Sequence, residues 1–334
     1  MLRVVDLRKW ILNVLRVVIG LILIIIIFYI YGFNNIIESL RQVSYLYFFI
    51  GFSFYIIRQL TVTWMLNIIL KNFKYEIPFF NTFKAHMGGI AISDYTPSRT
   101  GYFYASLILR QNENIPLHIG LSSIISSNAV EFTFKVVGAI SALFYLILIV
   151  RSHLTVELYL VLIFVTLLML SIAITLILVL WWERASNLLS KFERVPYLKR
   201  ILQKIQEIQV ESKKLKPLLW KIVVLSFIIW ILKGLTWFFF FISLGIKKIT
   251  LIECMLLQPL ITAFSFIPLF PSGIGVQEVG IIFVLGILTV PPPQAIAFDL
   301  LLRSTMLFNI LGLFFTLNVI KASDHNVKDI KKLT

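Results

Sequence analysis

The sequence predicts an all-α polytopic membrane protein: six full spans plus two re-entrant helical hairpins, arranged as an inverted-topology repeat. Three observations predict it. Of 334 residues, 59% are hydrophobic and only 14% charged, where an ordinary soluble domain carries about 25% charged, so the chain has too little polar surface to face water all round. Its apolar residues come in runs long enough to cross a bilayer, which takes about 20 helical residues. A gapless shift by 174 residues then lays one half of the chain on the other. Pro97-Ser98-Arg99-Thr100-Gly101 falls on Pro271-Ser272-Gly273-Ile274-Gly275, the run 44–70 falls on 218–244, and Gly138 falls on Gly312.

Taken in order, the first apolar run, 11–31, follows Arg3, Arg8 and Lys9. It resembles a secretory signal but exceeds a typical h-region, and Gly32-Phe33-Asn34-Asn35 offers no small-x-small cleavage site. It reads as a retained anchor, with 32–43 as an outer loop. Further full spans are read at 44–70, 117–150, 155–182, 218–244 and 294–320. Two stretches remain, 85–112 and 251–290. Residues 183–217 carry nine Lys and Arg. There Leu198, Ile201, Leu202, Ile205 and Ile208 form an apolar stripe flanked by Lys199, Arg200 and Lys204, the pattern of a helix lying on anionic lipid. The organisation is therefore 1–43, N-terminal anchor and outer loop; 44–150, first repeat; 151–217, linking span and basic interfacial helix; 218–320, second, inverted repeat; and 321–334, basic cytoplasmic tail.

Basic residues mark the inner side of a membrane. With both termini inside, nineteen Lys and Arg fall in four inner segments and four outside: Arg41, Arg151, Lys247 and Lys248. This orientation makes 85–112 begin and end inside. Its arms, about 85–96 and 100–113, are too short to span, so it reads as a re-entrant hairpin with Ser93-Asp94-Tyr95-Thr96-Pro97-Ser98-Arg99 at its tip. Length alone leaves 251–290 open between a hairpin and two crossings; the repeat selects the hairpin. The span 155–182 inverts the second unit, so the two tips enter from opposite faces. Proline stops a helix and glycine permits close backbone approach. Backbone freed at a tip must be buried in protein or line a wet cavity. The helix that follows presents free N–H groups and a positive dipole end to an anion.

Charges inside a membrane are costly, about 2.5–3.5 kcal/mol each on insertion scales, and mark functional sites. Deep candidates are Arg58, Asp94, Arg99, Glu131, Lys135, Lys233, Glu278, Asp299 and Arg303, with Glu253 nearer the outer interface. Glu131 and Lys135, and likewise Asp299 and Arg303, are four apart and suited to neutralise each other. Asn128, Glu131 and Lys135 share one helical face. The candidate binding set is Pro97, Arg99, Gly101, Asn128, Glu131, Lys135, Pro271, Gly273, Gly275, Glu278 and Arg303.

Several chemistries are excluded. One cysteine, Cys254, gives no disulfide and no thiolate metal site. His86, His118, His153 and His325 lack metal-ligand spacing. There is no P-loop, and Gly273-x-Gly275 continues to Glu278 rather than glycine. No catalytic residue, metal or cofactor is expected. The net charge of +15 is distributed between apolar runs, which fits anionic headgroups better than nucleic acid.

Pro271-Ser-Gly-Ile-Gly-Val-Gln-Glu278, with Ala295-Ile-Ala-Phe-Asp-Leu-Leu-Leu-Arg303 after it, resembles the signature of the flippase-like membrane domain of lysylphosphatidylglycerol synthases, a group that includes the stand-alone UPF0104 proteins. Pro97-x-x-x-Gly101, with Arg110 following, resembles the family's earlier motif; Tyr102 stands where members often carry an acidic residue. The resemblance runs from the second span to the last. It implies movement of a lipid with a phosphate-bearing headgroup between leaflets, with Gly273, Gly275, Glu278 and Arg303 in the site. The soluble aminoacyl-transfer domain has no counterpart here, so synthesis of aminoacyl lipids is not expected. The expectation is a multi-pass cell-membrane lipid transporter whose partner is an anionic lipid. Its alternatives are a membrane-embedded transferase acting on a lipid-phosphate, with Glu278 or Asp94 as base, and a small-anion transporter.

Overall fold

The computed structural model describes residues 19–20, 22–96, 100–149, 156–181, 206–264 and 275–332, and all regular structure among them is helical. Helix α1, Ile22–Tyr31, meets α2, Phe33–Arg41, at 81°. The bend sits on Gly32, whose φ of +80° lies in the left-handed region open to glycine. The expected outer loop at 32–43 is thus mostly helix. Ile36 explains it: it is buried to 1% between Ile27 and Ile296, and one buried residue in a nine-residue segment leaves no readable period.

Among the described residues four helices are long and apolar enough to cross a membrane: α3, Tyr45–Asn72; α6, Leu117–Ile149; α8, Leu219–Ser243; and α11, Pro292–Lys332, through its part Pro292–Thr316. The bent pair α1–α2 makes a fifth if counted as one span. α7, Val156–Trp181, is a further apolar helix. Besides α1 and α2, short helices include α4, Phe79–Ser93; α5, Tyr104–Glu113; α9, Leu251–Phe264; and α10, Val276–Ile287. At about 1.5 Å per residue, even the 15-residue α4 reaches only about 22 Å, short of a hydrocarbon core of about 30 Å. These four are the arms flanking the two expected tips.

At the first tip a 3-10 turn, Thr100–Phe103, leads into α5. The Gly101 N–H donates to Thr96 Oγ1 at 2.7 Å. A Cβ on Gly101 would stand 2.7 Å from the carbonyl carbon and oxygen of Ile92. Gly101→Ala is therefore expected to push the turn off α4 and cost about 1–3 kcal/mol, read as a lowered thermal midpoint in detergent. Gly286→Ala is the control: it lies in α10 with nothing within 4 Å of the new methyl, so helix propensity should leave the midpoint unchanged or raised.

The long helices α3 and α8 pack along each other, α4 packs on α11, and α9 packs on α6. Each first arm therefore rests on the last long helix of the other half of the chain. Small residues set the distance. A Cβ on Gly312 of α11 would lie 2.0 Å from the Met87 carbonyl oxygen on α4, and one on Gly138 of α6 would lie 2.8 Å from Pro259 Cγ on α9. The largest core joins α6 through α11; in it Phe241 stacks on Phe298 with ring centres 3.8 Å apart. A second core, including Leu66, Ala85, Ile108 and Ile119, ties α3, α4, α5 and α6 together. Residues 206–213 are helical and dock on α6, where the Ser126 hydroxyl donates to Ser212 Oγ at 3.0 Å. Of the expected apolar stripe in 183–217, Ile208 alone lies among the described residues. Leu148, Phe164, Trp220, Leu307 and Phe314 are exposed outward on the long helices, as suits a surface solvated by lipid chains.

Candidate functional site

Helix α10 begins at Gly275, whose φ of +86° again requires glycine. Its N–H donates to Glu278 Oε2 at 2.7 Å. The carboxylate thereby closes the helix start and sits on the positive dipole end. The other oxygen of Glu278 receives Nη2 of Arg303 from α11. Arg303 Nε donates to Asp299 Oδ2 at 2.8 Å, the four-residue spacing expected from sequence. Asp299 Oδ1 in turn accepts from Gln277 Nε2 at 3.0 Å. Glu278 is 5% exposed and Asp299 1%. One guanidinium thus bridges two buried carboxylates. A small cleft adjoins them, walled by Ile24, Ile27 and Phe28 of α1 and by Ile296 and Leu300.

A second cluster lies between α6, α8 and α9. Lys135 Nζ is 2.8 Å from Glu131 Oε1. Lys233 Nζ donates to Thr262 Oγ1 at 3.3 Å, and Gln258 Nε2 donates to the same oxygen at 3.0 Å. Trp230 is pinned by its Nε1–H to the Met255 carbonyl at 3.0 Å. A small pocket is lined by Glu131, Lys135, Lys233, Gln258 and the apolar Phe134, Ile229 and Trp230.

A third cluster joins α3, α4 and α11. Asn309 Nδ2 donates to Asp94 Oδ2 at 2.7 Å, Tyr55 Oη donates to Asn309 Oδ1 at 2.6 Å, and Gln59 Nε2 donates to Tyr55 Oη at 2.6 Å. The sense of this chain is fixed from one end. An ionised carboxylate only accepts, so Asn309 must turn its amide nitrogen to Asp94 and its oxygen to Tyr55. Tyr55 then spends its proton on Asn309, and Gln59 must offer nitrogen, leaving Gln59 Oε1 buried without a partner among the described residues. Arg58 Nε and His86 Nε2 are buried and unpartnered in the same sense. The other ring nitrogen of His86, Nδ1, is 2.8 Å from the Tyr102 hydroxyl, so the tyrosine at the position often acidic in the resembling family is engaged with a buried histidine.

The sequence-predicted residues separate into groups. Glu278, Arg303 and Gly275 come together with Asp299. Glu131 and Lys135 come together with Lys233. Asn128 is half-buried one turn earlier and is not among the residues lining that cavity. Gly101 is a packing glycine at its turn. Pro97, Arg99, Pro271 and Gly273 lie outside the described residues. Tyr55, Gln59, His86, Gln258 and Asn309 were missed because they are uncharged, and a search for deep charges passes over them. The 174-residue shift could have found two, since it carries Gln59 onto Lys233 and Lys135 onto Asn309. Among the described residues no three His, Cys, Asp or Glu side chains converge as metal ligands.

The family described as the lysylphosphatidylglycerol synthase TM region matches residues 13–313. The chain belongs to this family. A UPF0104 membrane protein of Methanocaldococcus jannaschii is 28% identical over 225 residues, covering 66% of this chain and 89% of that protein. No solved structure matches. Membership in the synthase TM-region family makes this a multi-pass membrane protein of lipid-related type. The two segments that carried the resemblance, 271–278 and 295–303, lie inside the matched span, and Glu278 and Arg303 bring them into contact.

Proposed function

We propose that this protein moves a lipid with a polar, phosphate-bearing headgroup between leaflets, through a midplane site between two re-entrant hairpins. The observation that carries this reading is that charged and polar side chains are buried in clusters on the long helices and closed by helices too short to cross. Such groups are retained in membrane interiors where they line a substrate path. In the full proposal six spans and two hairpins form an inverted repeat, with both termini cytoplasmic. The crossed packing of α4 on α11 and α9 on α6 supports the repeat, because the 174-residue shift exchanges α4 with α9 and α6 with α11.

The test is leaflet exchange in vesicles containing the purified protein. Fluorescent phosphatidylglycerol is expected to exchange faster than in protein-free vesicles and faster than fluorescent phosphatidylcholine. No protein-dependent exchange of either lipid by folded protein would count against transport. Formation of a new lipid product from a lipid-phosphate donor would establish the transferase reading in its place.

A further inference from the structure

We infer that a lipid headgroup reaches the Arg303 cluster sideways from the bilayer, between α1 and α11, and that α1 is the moving wall, turning at Gly32. What passes rests on the transport reading above; the movement of α1 does not.

The cluster lies one helix deep. Ile24, Ile27 and Phe28 of α1 wall the cleft beside Glu278, Asp299 and Arg303. On the far side of α1, Ile22, Ile25, Ile26, Tyr29 and Ile30 are exposed, as in a helix facing lipid chains. Beneath α1 the cation is the open member of the cluster. Arg303 keeps 17% of its side chain accessible, against 6% for Glu278 and 2% for Asp299. Its Nε and Nη2 are spent on the carboxylates, which fix the guanidinium and leave Nη1 uncommitted among the described residues. The two carboxylates also temper its attraction, so an arriving phosphate is not trapped. The cleft as it stands is too small for a phosphate-bearing headgroup. A wall must therefore move to admit one.

Separating α10 from α11 breaks the Arg303–Glu278 pair and the Gln277–Asp299 bond. α1 has no such tie. Its residues are isoleucine, leucine, phenylalanine and two tyrosines, and none of their side chains hydrogen-bonds α10 or α11 among the described residues. Lipid chains are as apolar as those side chains, so packing alone holds α1 in place, and lipid takes over the contact when it leaves. The attachment of α1 to α2 is a hinge. Gly32 has a φ of +80°, and a Cβ there would meet only the Asn35 side chain, so nothing crowds the bend. Beyond it α2 is docked on α11, with Ile36 buried against Ile296. Towards the other end of α1, Leu23 closes over Gly275: its Cδ1 would lie 2.8 Å from a Cβ on that glycine. Leu23 is about 13 Å along the helix from Gly32. A small turn at the hinge therefore uncovers the start of α10 together with Arg303.

The experiment uses the full chain with Cys254→Ala, reconstituted in vesicles, and two cysteine pairs bridged by a short reducible bis-methanethiosulfonate. Ile24→Cys with Leu300→Cys joins α1 to α11 across the cleft. Ile36→Cys with Ile296→Cys joins α2 to α11. The first bridge is expected to cut phosphatidylglycerol exchange to the protein-free rate, in proportion to the fraction bridged, and reductant to restore it. The second should leave exchange unchanged. Movement is read separately from spin labels at Ile25→Cys and Leu307→Cys, which are exposed on α1 and α11, and two separations between them are expected. Variants are compared only where thermal midpoints match the Cys254→Ala protein. Exchange at the unbridged rate by fully bridged Ile24→Cys/Leu300→Cys protein overturns the gate and leaves the transport reading standing. A single narrow separation overturns the gate as well. Two separations without exchange of either fluorescent lipid keep the gate and overturn the transport reading.

Discussion

Arg303→Ala is expected to lower the stability of this protein by about 3–5 kcal/mol, the usual loss when one partner of a buried ion pair is removed. Glu278 and Asp299 are 5% and 1% exposed, and both spend an oxygen on the same guanidinium. Without it two carboxylates face each other with no counter-charge. The loss should appear as a large drop in the thermal midpoint of detergent-purified protein. Arg303→Lys should recover only part of it, because an ammonium is a point charge without the planar fork that spans two carboxylates. Combining Arg303→Met with Glu278→Gln and Asp299→Asn should recover more than Arg303→Lys, since no unpaired charge remains. If the triple variant is no more stable than Arg303→Ala, electrostatics is not the cause. The same logic makes Arg303→Ala a poor probe of transport, since lost activity would report lost structure.

Gly312→Ala is expected to be the most damaging of the glycine-to-alanine changes among the described residues, about 3 kcal/mol, the upper end for overpacking. The new carbon would sit 2.0 Å from the carbonyl oxygen and 2.4 Å from the carbonyl carbon of Met87. Those are backbone atoms in the interior of α4 and cannot rotate aside. Gly138→Ala at the corresponding place in the other half meets Pro259 Cγ at 2.8 Å and Trp230 at 3.2 Å, both side-chain atoms. Its loss should be clearly smaller, and thermal midpoints of the two variants measured together check the ranking. Equal effects would mean that α4 moves as easily as a side chain.

How much of this was legible in sequence depends on what kind of signal each feature leaves. The long helices α3, α6, α8 and α11 were readable because about 20 consecutive apolar residues is a pattern with few alternatives. The two arms in 85–112 were readable from Pro and Gly at the tip and from counting sides, and the two in 251–290 only through the 174-residue shift. Ion pairs at four-residue spacing, Glu131 with Lys135 and Asp299 with Arg303, follow from helix geometry alone. The contact of Arg303 with Glu278 is a different matter: 25 residues separate them, and the resemblance grouped them without predicting a salt bridge. The α1–α2 bend was missed because a nine-residue amphipathic helix carries too little periodicity. The Asp94–Asn309–Tyr55–Gln59 chain was invisible because it is built across 215 residues from side chains that are unremarkable singly. Only their placement opposite one another gives them meaning.

The crossed packing has a consequence for biosynthesis. The first arm, α4, is made early, yet its resting place on α11 is near the end of the chain, and Asp94 waits for Asn309, 215 residues later. At roughly 5–20 residues per second of translation, that is a delay on the order of 10–45 s. Throughout it α4 has α3 and then α5 to pack on, but its face that meets Gly312 and Thr316 of α11 stays open. The contact of α4 with α11 is therefore made only when almost the whole chain has been synthesised. A chain truncated before α11 is expected to be less stable than the full chain, read as faster proteolysis of the first half in membranes.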